Sequence, residues 1–83
     1  MALHITYSDH AAANLVDRKI EPEWVFQTIE NPNLTLDHDT DIELQHLYRR
    51  IAEKGNRVLH VIFNRNQSHV VTAYFDRNMR KRL

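Results

Sequence analysis

The sequence predicts an α+β fold: a short N-terminal strand, two helices, then a three- to four-stranded antiparallel sheet with the helices on one face. Three observations carry this prediction. Apolar residues recur at helical spacing up to the "ENPN" stretch, and they alternate after it. Two turn signals, "EKGN" and "RNQS", cut the alternating part into strands. At 83 residues the expectation is one domain, 1–83, with a thin core. A chain of this size buries only about 60 to 65 percent of its unfolded surface.

The elements follow in order. "ALHITYS" alternates, with Leu3, Ile5 and Tyr7 on one side, and reads as the first strand. Ser8 is a good N-cap, and Asp9 lies where a helix dipole favours an acid. Ala11, Ala12, Leu15 and Val16 supply an apolar face, so residues 8 to 19 are expected as the first helix. Pro22 suits the first position of a second helix, with Ile20 and Val25 spaced as a hydrophobic staple. Trp24, Val25 and Ile29, together with Phe26, are expected to pack inward, and Pro32 ends the helix. A strand is predicted over 42–52, with a short lead-in at Leu34 to Leu36. Gly55 supplies positive φ for a hairpin into "RVLHVIFN", and "HVVTAYFD" is the last strand.

Alternation assigns the sheet faces. Leu59, Val61 and Phe63 form one apolar set, and Val71, Ala73 and Phe75 form another; both belong under the helices. With Leu47 and Ile51 also in the core, the opposite face carries His46, Tyr48, Arg50, His60 and Tyr74. A bulge in the long strand would break this alignment.

Composition narrows the class. There is no cysteine, so no disulfide framework or thiol nucleophile exists. No apolar run approaches a membrane span, and "MALHITYSDH" lacks the marks of a signal peptide, so a cytoplasmic location is expected. The zero net charge hides an asymmetry. Residues 1–48 hold nine acids against Arg18 and Lys19, a charge of −7. Residues 49–83 hold nine bases against Glu53 and Asp76, a charge of +7. Either the basic half meets an anionic partner, or the two halves interleave and neutralise each other.

"SDHAAANLVDRKIEPEWVFQTIENP", "LYRRI", "RVLHVIFN" and "HVVTAYFDRNMRK" together resemble the small bacterial family of unknown function DUF4258. The shared marks are His10-Ala11, the Arg18-Lys19-Ile20 step, Asn31-Pro32, Arg57, and the Val70, Val71, Thr72, Tyr74 strand. Lys19 departs from the Gly that the family often has there. The family in turn resembles the RelE/ParE and BrnT superfamily of toxins. That resemblance implies a strand, two helices and an antiparallel sheet. It also implies candidate activities. Many RelE-like proteins cleave mRNA, often on the ribosome. ParE-like proteins act on DNA gyrase. Members are usually held inactive by an antitoxin that wraps them. An antitoxin and RNA are therefore the expected partners, and a noncatalytic interaction domain on the same scaffold is the alternative. The helices lack a dense Lys/Arg set, which weighs against ribosome dependence.

Metal-independent RNA cleavage needs a base for the 2′-hydroxyl, an acid for the leaving oxygen, and a cation for the phosphoryl charge. His46 and His60 are candidate base and acid, with Tyr74 assisting and Arg77 as the cation. Tyr48 can stack on a base, Arg50 and Arg57 can hold phosphate, and Arg80 and Lys81 extend the positive charge into the tail. The competing reading is that alternating polar residues simply mark a solvated sheet face, and that "DRNMRKRL" is a frayed, solubilising tail. His10 reads as a capping or packing residue, Arg18 as a partner of the helix C-terminus, and Trp24 as core. Asp37, Asp39 and Asp41 have calcium-loop spacing, but Ile42 and Tyr48 stand where Gly and Glu are needed. His38 and His46 match no closed zinc pattern. No metal and no cofactor is expected.

Overall fold

A computed structural model of the chain describes residues 4–83. The elements are β1 (Thr6–Tyr7), α1 (Asp9–Asp17), α2 (Pro22–Glu30), β2 (Leu34–Asp37), β3 (Leu44–Ile51), β4 (Arg57–Asn64) and β5 (His69–Phe75). One-turn 3-10 helices follow β3 at Ala52–Lys54 and β5 at Asn78–Lys81. The α+β class stands, but the sheet has five strands and is mixed, in the order β1-β5-β4-β3-β2. The expected lead-in is a full strand, because Leu34 to Asp37 pair along β3 from Tyr48 to Gln45. β1 joins the other edge in parallel, with Thr6 beside His69 and Tyr7 beside Val70. Ala2 and Leu3, part of the first predicted strand, lie outside the described residues.

Local chemistry explains the boundaries. The Ser8 hydroxyl caps α1 by accepting from Ala11 N at 3.0 Å, and it donates to Val71 O at 2.6 Å. One side chain thus starts the helix and ties it to β5. α1 stops two residues earlier than predicted, in a Schellman motif. Ile20 N donates to Leu15 O at 2.8 Å and Lys19 N to Val16 O at 3.3 Å. This motif places Lys19 at φ +54, the left-handed conformation that glycine adopts most easily. α2 begins with Pro22 at its first turn and has no side-chain cap; Ile20 and Val25 are buried across its start. β3 starts at Leu44 rather than 42 because Asp41 organises a turn, accepting from Glu43 N at its side chain and from Leu44 N at its carbonyl. It ends at Ile51, where Gly55 at φ +66 and Asn56 at φ +64 reverse the chain.

The main core joins the helices to one sheet face. Ala11, Ile20, Trp24 and Val25 pack on Leu47, Ile51, Leu59, Val61, Phe63, Val70 and Ala73. Two sets of expectations need correction, the first on the helix faces and the second on β5. Ala12 is exposed and Val16 is 78% exposed, because α1 leans on β5 along a stripe of Ala11, Asn14 and Leu15 instead. Asn14 Nδ2 donates to Ala73 O at 3.2 Å, anchoring that stripe on the edge that β1 leaves unpaired. Phe26 is also exposed, on the outer side of α2.

The second correction concerns β5. Ile62 pairs with Thr72, but Phe63 pairs with Val70, so Val71 is the extra residue of a β-bulge. The bulge shifts the phase of the strand by one. Val70 is therefore fully buried in the core, and Val71 is only half-buried with its carbonyl turned to Ser8. Beyond the bulge Ala73 is core as expected, and half-buried Phe75 leans on Trp24 with ring centroids 6.4 Å apart. β3, where sequence reasoning allowed for a bulge, is regular over all eight residues.

The tail is not frayed. Met79 is buried against Tyr48 and Val58, with Leu34 and Leu83 packed around them. This second, small core lies on the sheet face away from α1 and α2. Asp76 holds the turn in place, its Oδ1 accepting from Asn78 N at 2.9 Å and Met79 N at 3.3 Å.

Two stability changes are expected. Met79→Ala should destabilise by about 2 kcal/mol, at the low end of core truncations because the cluster is small and open to collapse. Lys19→Gly should stabilise by about 0.5 to 1 kcal/mol, since relief of the left-handed strain exceeds the entropy lost by the glycine. Denaturant unfolding of both variants measures the two effects.

Candidate active site

Strand register builds a ring cluster on the face opposite α1 and α2. Leu34, Tyr48, His60 and Tyr74 lie abreast on four adjacent strands. Leu36, His46, Ile62 and Thr72 form the next row. His46 and His60 are thus diagonal neighbours, close enough for long side chains to meet. His46 Nδ1 lies 2.7 Å from His60 Nε2. The His60 ring is stacked on Tyr48 at 4.3 Å and tilted against Tyr74 at 4.8 Å. His38, from the loop after β2, stacks on the outer side of His46 at 5.2 Å. The predicted face is correct, but His60 is only 4% exposed, because these rings enclose it.

Burial decides the protonation of the pair. Loss of water, reinforced by His46, pushes the His60 imidazole from its ordinary 6.5 down to about 4, against the pull of Asp76. His60 is therefore neutral at pH 7. Burial and then His38 lower His46 as well, while Asp39 opposes them. Two neutral imidazoles share one proton across the 2.7 Å contact. Asp76 Oδ2 stands 3.6 Å from His60 Nδ1, an atom with no hydrogen-bond partner. A bare lone pair facing a carboxylate is unfavourable, so electrostatics puts a proton on His60 Nδ1. His60 Nε2 then accepts from His46 Nδ1–H. The outcome is a half-buried His46 whose Nε2 lone pair is free for a proton.

The tyrosines divide. Tyr48 is 6% exposed and serves as a wall. Tyr74 is half-buried, and burial, then Asp76, raises its phenol above the ordinary 10.0, so it remains a donor at neutral pH. Tyr74 also lines a groove between α1 and β5 with His10, Asn14, Arg18 and Thr72.

The cations do not gather at the histidines. Arg57, Arg77 and Arg80 meet Arg18 in a separate cleft at the end of the sheet, beside Asp17 and Asp76. Arg50 pairs with Val58 at the same end of the sheet but lines a different pocket, with Asn33, Arg49 and Leu83. Lys81 is exposed on the terminal turn. Among the described residues, no three His, Cys, Asp or Glu side chains converge as a metal site. No helix among them is long and apolar enough to cross a membrane.

Three site residues escaped the sequence reading. Asp76 follows Tyr74 at strand spacing on the same face, which was a usable signal. His38 sits in an irregular loop, and no pattern places it over His46. Arg18 was assigned to its helix end, and it does occupy the C-cap of α1, but the groove and the cleft beside it are visible only in three dimensions.

The depressed His60 makes stability depend on pH. Above pH 6.5 neither the folded nor the unfolded chain protonates it appreciably. Between about 6.5 and about 4 the unfolded chain binds the proton and the folded chain does not. Stability should therefore be complete above 6.5 and fall as the pH drops toward 4. Denaturant titrations across this range should show the fall in the wild type and a flatter profile in His60→Gln.

No curated protein and no solved structure matches the chain. The family model described as a domain of unknown function, DUF4258, matches residues 7–75. That span runs from the second residue of β1 to the last of β5 and holds the Tyr48, His60, Tyr74 row together with His46, so the chain belongs to the DUF4258 family.

Proposed function

We propose that this protein is a metal-independent endoribonuclease acting on mRNA, of the kind carried as the toxin of a toxin–antitoxin pair. The observation that supports it best is the Asp76, His60, His46 chain, which ends in a neutral, accessible imidazole on an open sheet face. A buried imidazole between a carboxylate and a second imidazole orients that second ring and stabilises it when it takes a proton. His60 and Asp76 are then positioning residues, and His46 is the base.

The step balances without a metal. His46 Nε2 takes the proton of a ribose 2′-hydroxyl, and the oxygen attacks the adjacent phosphorus. The bond from phosphorus to the 5′-oxygen breaks, and the Tyr74 hydroxyl gives its proton to that oxygen. The products are a cyclic phosphodiester and a free 5′-hydroxyl. The proton on His46 returns through water to the tyrosinate, which resets both groups. Arg18, which lines the same groove as Tyr74, is the guanidinium placed to balance the charge on the phosphoryl oxygens.

Loss of a positioned base lowers such rates by about 10²- to 10⁴-fold, the effect expected of His46→Ala on a single-stranded RNA substrate. Tyr74→Phe should reduce the rate with little effect on binding. Expressed alone in a bacterial host, the wild type should arrest growth with loss of mRNA, and His46→Ala should not. Normal growth at confirmed soluble expression, with RNA left intact by the purified protein, would instead establish a noncatalytic interaction domain.

A further inference from the structure

We propose that the cleft between Arg18, Arg57, Arg77 and Arg80 is a phosphate-binding subsite for single-stranded RNA, reached from the histidine row by way of Tyr74. The proposal rests on the RNA reading above but not on catalysis.

The first support is uncompensated charge. Four guanidinium groups from three parts of the chain converge here: the C-cap of α1, the first residue of β4 and the tail. Two carboxylates, Asp17 and Asp76, share the cleft, leaving a surplus of two positive charges. Yet among the described residues no arginine has a carboxylate within 4.0 Å; the one close contact of a carboxylate with a basic side chain is Asp76 with the neutral His60. Arg80 is held by the backbone, its Nη2 donating to Gly55 O at 3.2 Å. Gathering like charges is unfavourable, and a bound anion relieves it. Arginine forks suit phosphate oxygens in particular.

The second support is size and continuity. The cleft measures about 530 Å³, the scale of a nucleotide rather than a lone ion. Arg18 lines both this cleft and the groove that contains Tyr74. Tyr74 in turn touches His60, the partner of His46. Rings followed by guanidinium groups along one path suit a strand of alternating bases and phosphates. An acidic peptide would use the arginines and leave the rings without a role.

The third support is polarity along the sheet. The hairpin at Ala52–Asn56 and the end of β5 put the arginines at one end. The end of β2 and the loop after it put Asp37, Asp39, Asp41 and Glu43 at the other. No arginine closes an ion pair with these acids, so the charge difference along the sheet orients the molecule toward an anion.

The test uses a labelled 2′-O-methyl oligouridine, which lacks the reacting hydroxyl and cannot be cleaved. Salt titrations compare the wild type, His46→Ala, and Arg18→Gln combined with Arg57→Gln. Each phosphate contact on a single strand adds a slope of roughly 0.7, so the double variant should be shallower by about 1.4. His46→Ala should keep the wild-type slope. A parallel titration of the wild type with inorganic phosphate, followed through the arginine Nε–H NMR signals, needs no variant. Shifts at Arg18, Arg57 and Arg77 that are competed by the oligonucleotide support the subsite even if a variant is unstable. Unchanged slope and affinity at unchanged melting temperature would overturn the subsite. So would absent phosphate shifts, or arginine-dependent binding of polyglutamate in place of RNA. Arginine-dependent RNA binding without any cleavage of ordinary RNA would keep the subsite and refute only the nuclease reading.

Discussion

The Asp76 carboxylate is the contact on which the rest of the site depends. Its backbone N–H continues β5 by bonding to Val58 O at 2.8 Å. Its Oδ1 caps the terminal turn, and its Oδ2 faces His60. One residue thus closes the ladder, docks Met79 on Tyr48 and Val58, and sets a carboxylate beside the buried imidazole. Without the docked turn, Tyr48 would lose its cover and the water excluded from His60 would return. The low affinity of His60 for a proton is therefore a product of tail folding as much as of strand sequence.

A second constraint lies at the other end of β5. The bulge at Val71 frees a carbonyl from the ladder, and Ser8 takes it up while capping α1. The same phase shift puts Val70 in the core without moving Thr72 and Tyr74 off the open face. A regular strand would have to choose between a buried Val70 and an outward Tyr74. Bulges near functional faces commonly serve this purpose of re-aiming side chains.

The two regions of the face have different chemistry for a physical reason. Around His60 the rings exclude water, so protonation is suppressed and a neutral proton path survives at pH 7. In the arginine cleft the groups are exposed, and guanidinium stays charged in any setting. A polyanion can therefore be held at one end of the sheet by charge and meet an uncharged base at the centre. Separation protects the base, since arginines packed against His46 would lower its proton affinity further.

Much of this was legible in the sequence because it depends on local periodicity. Alternation alone placed His46, Tyr48, His60 and Tyr74 on one face, and the helix start at Ser8, the helix at Pro22 and the turn at Gly55 follow from residue chemistry. The departure at Lys19 from the Gly common in the resembled family fell on the left-handed residue of the α1 stop. What sequence could not decide depends on contacts between distant segments. A bulge adds one residue without changing composition, so Val70 and Val71 looked interchangeable until β4 set the register. β1 joined the sheet in parallel because α1 folds back along β5, a long-range packing choice. The burial of His60 required rings from both neighbouring strands and the carboxylate that holds the tail. The meeting of Arg18 with Arg57, Arg77 and Arg80 brings together residues up to 62 positions apart in the chain. Periodicity fixes which way a side chain faces, but only the packed fold sets its neighbours, and neighbours determine charge and proton affinity.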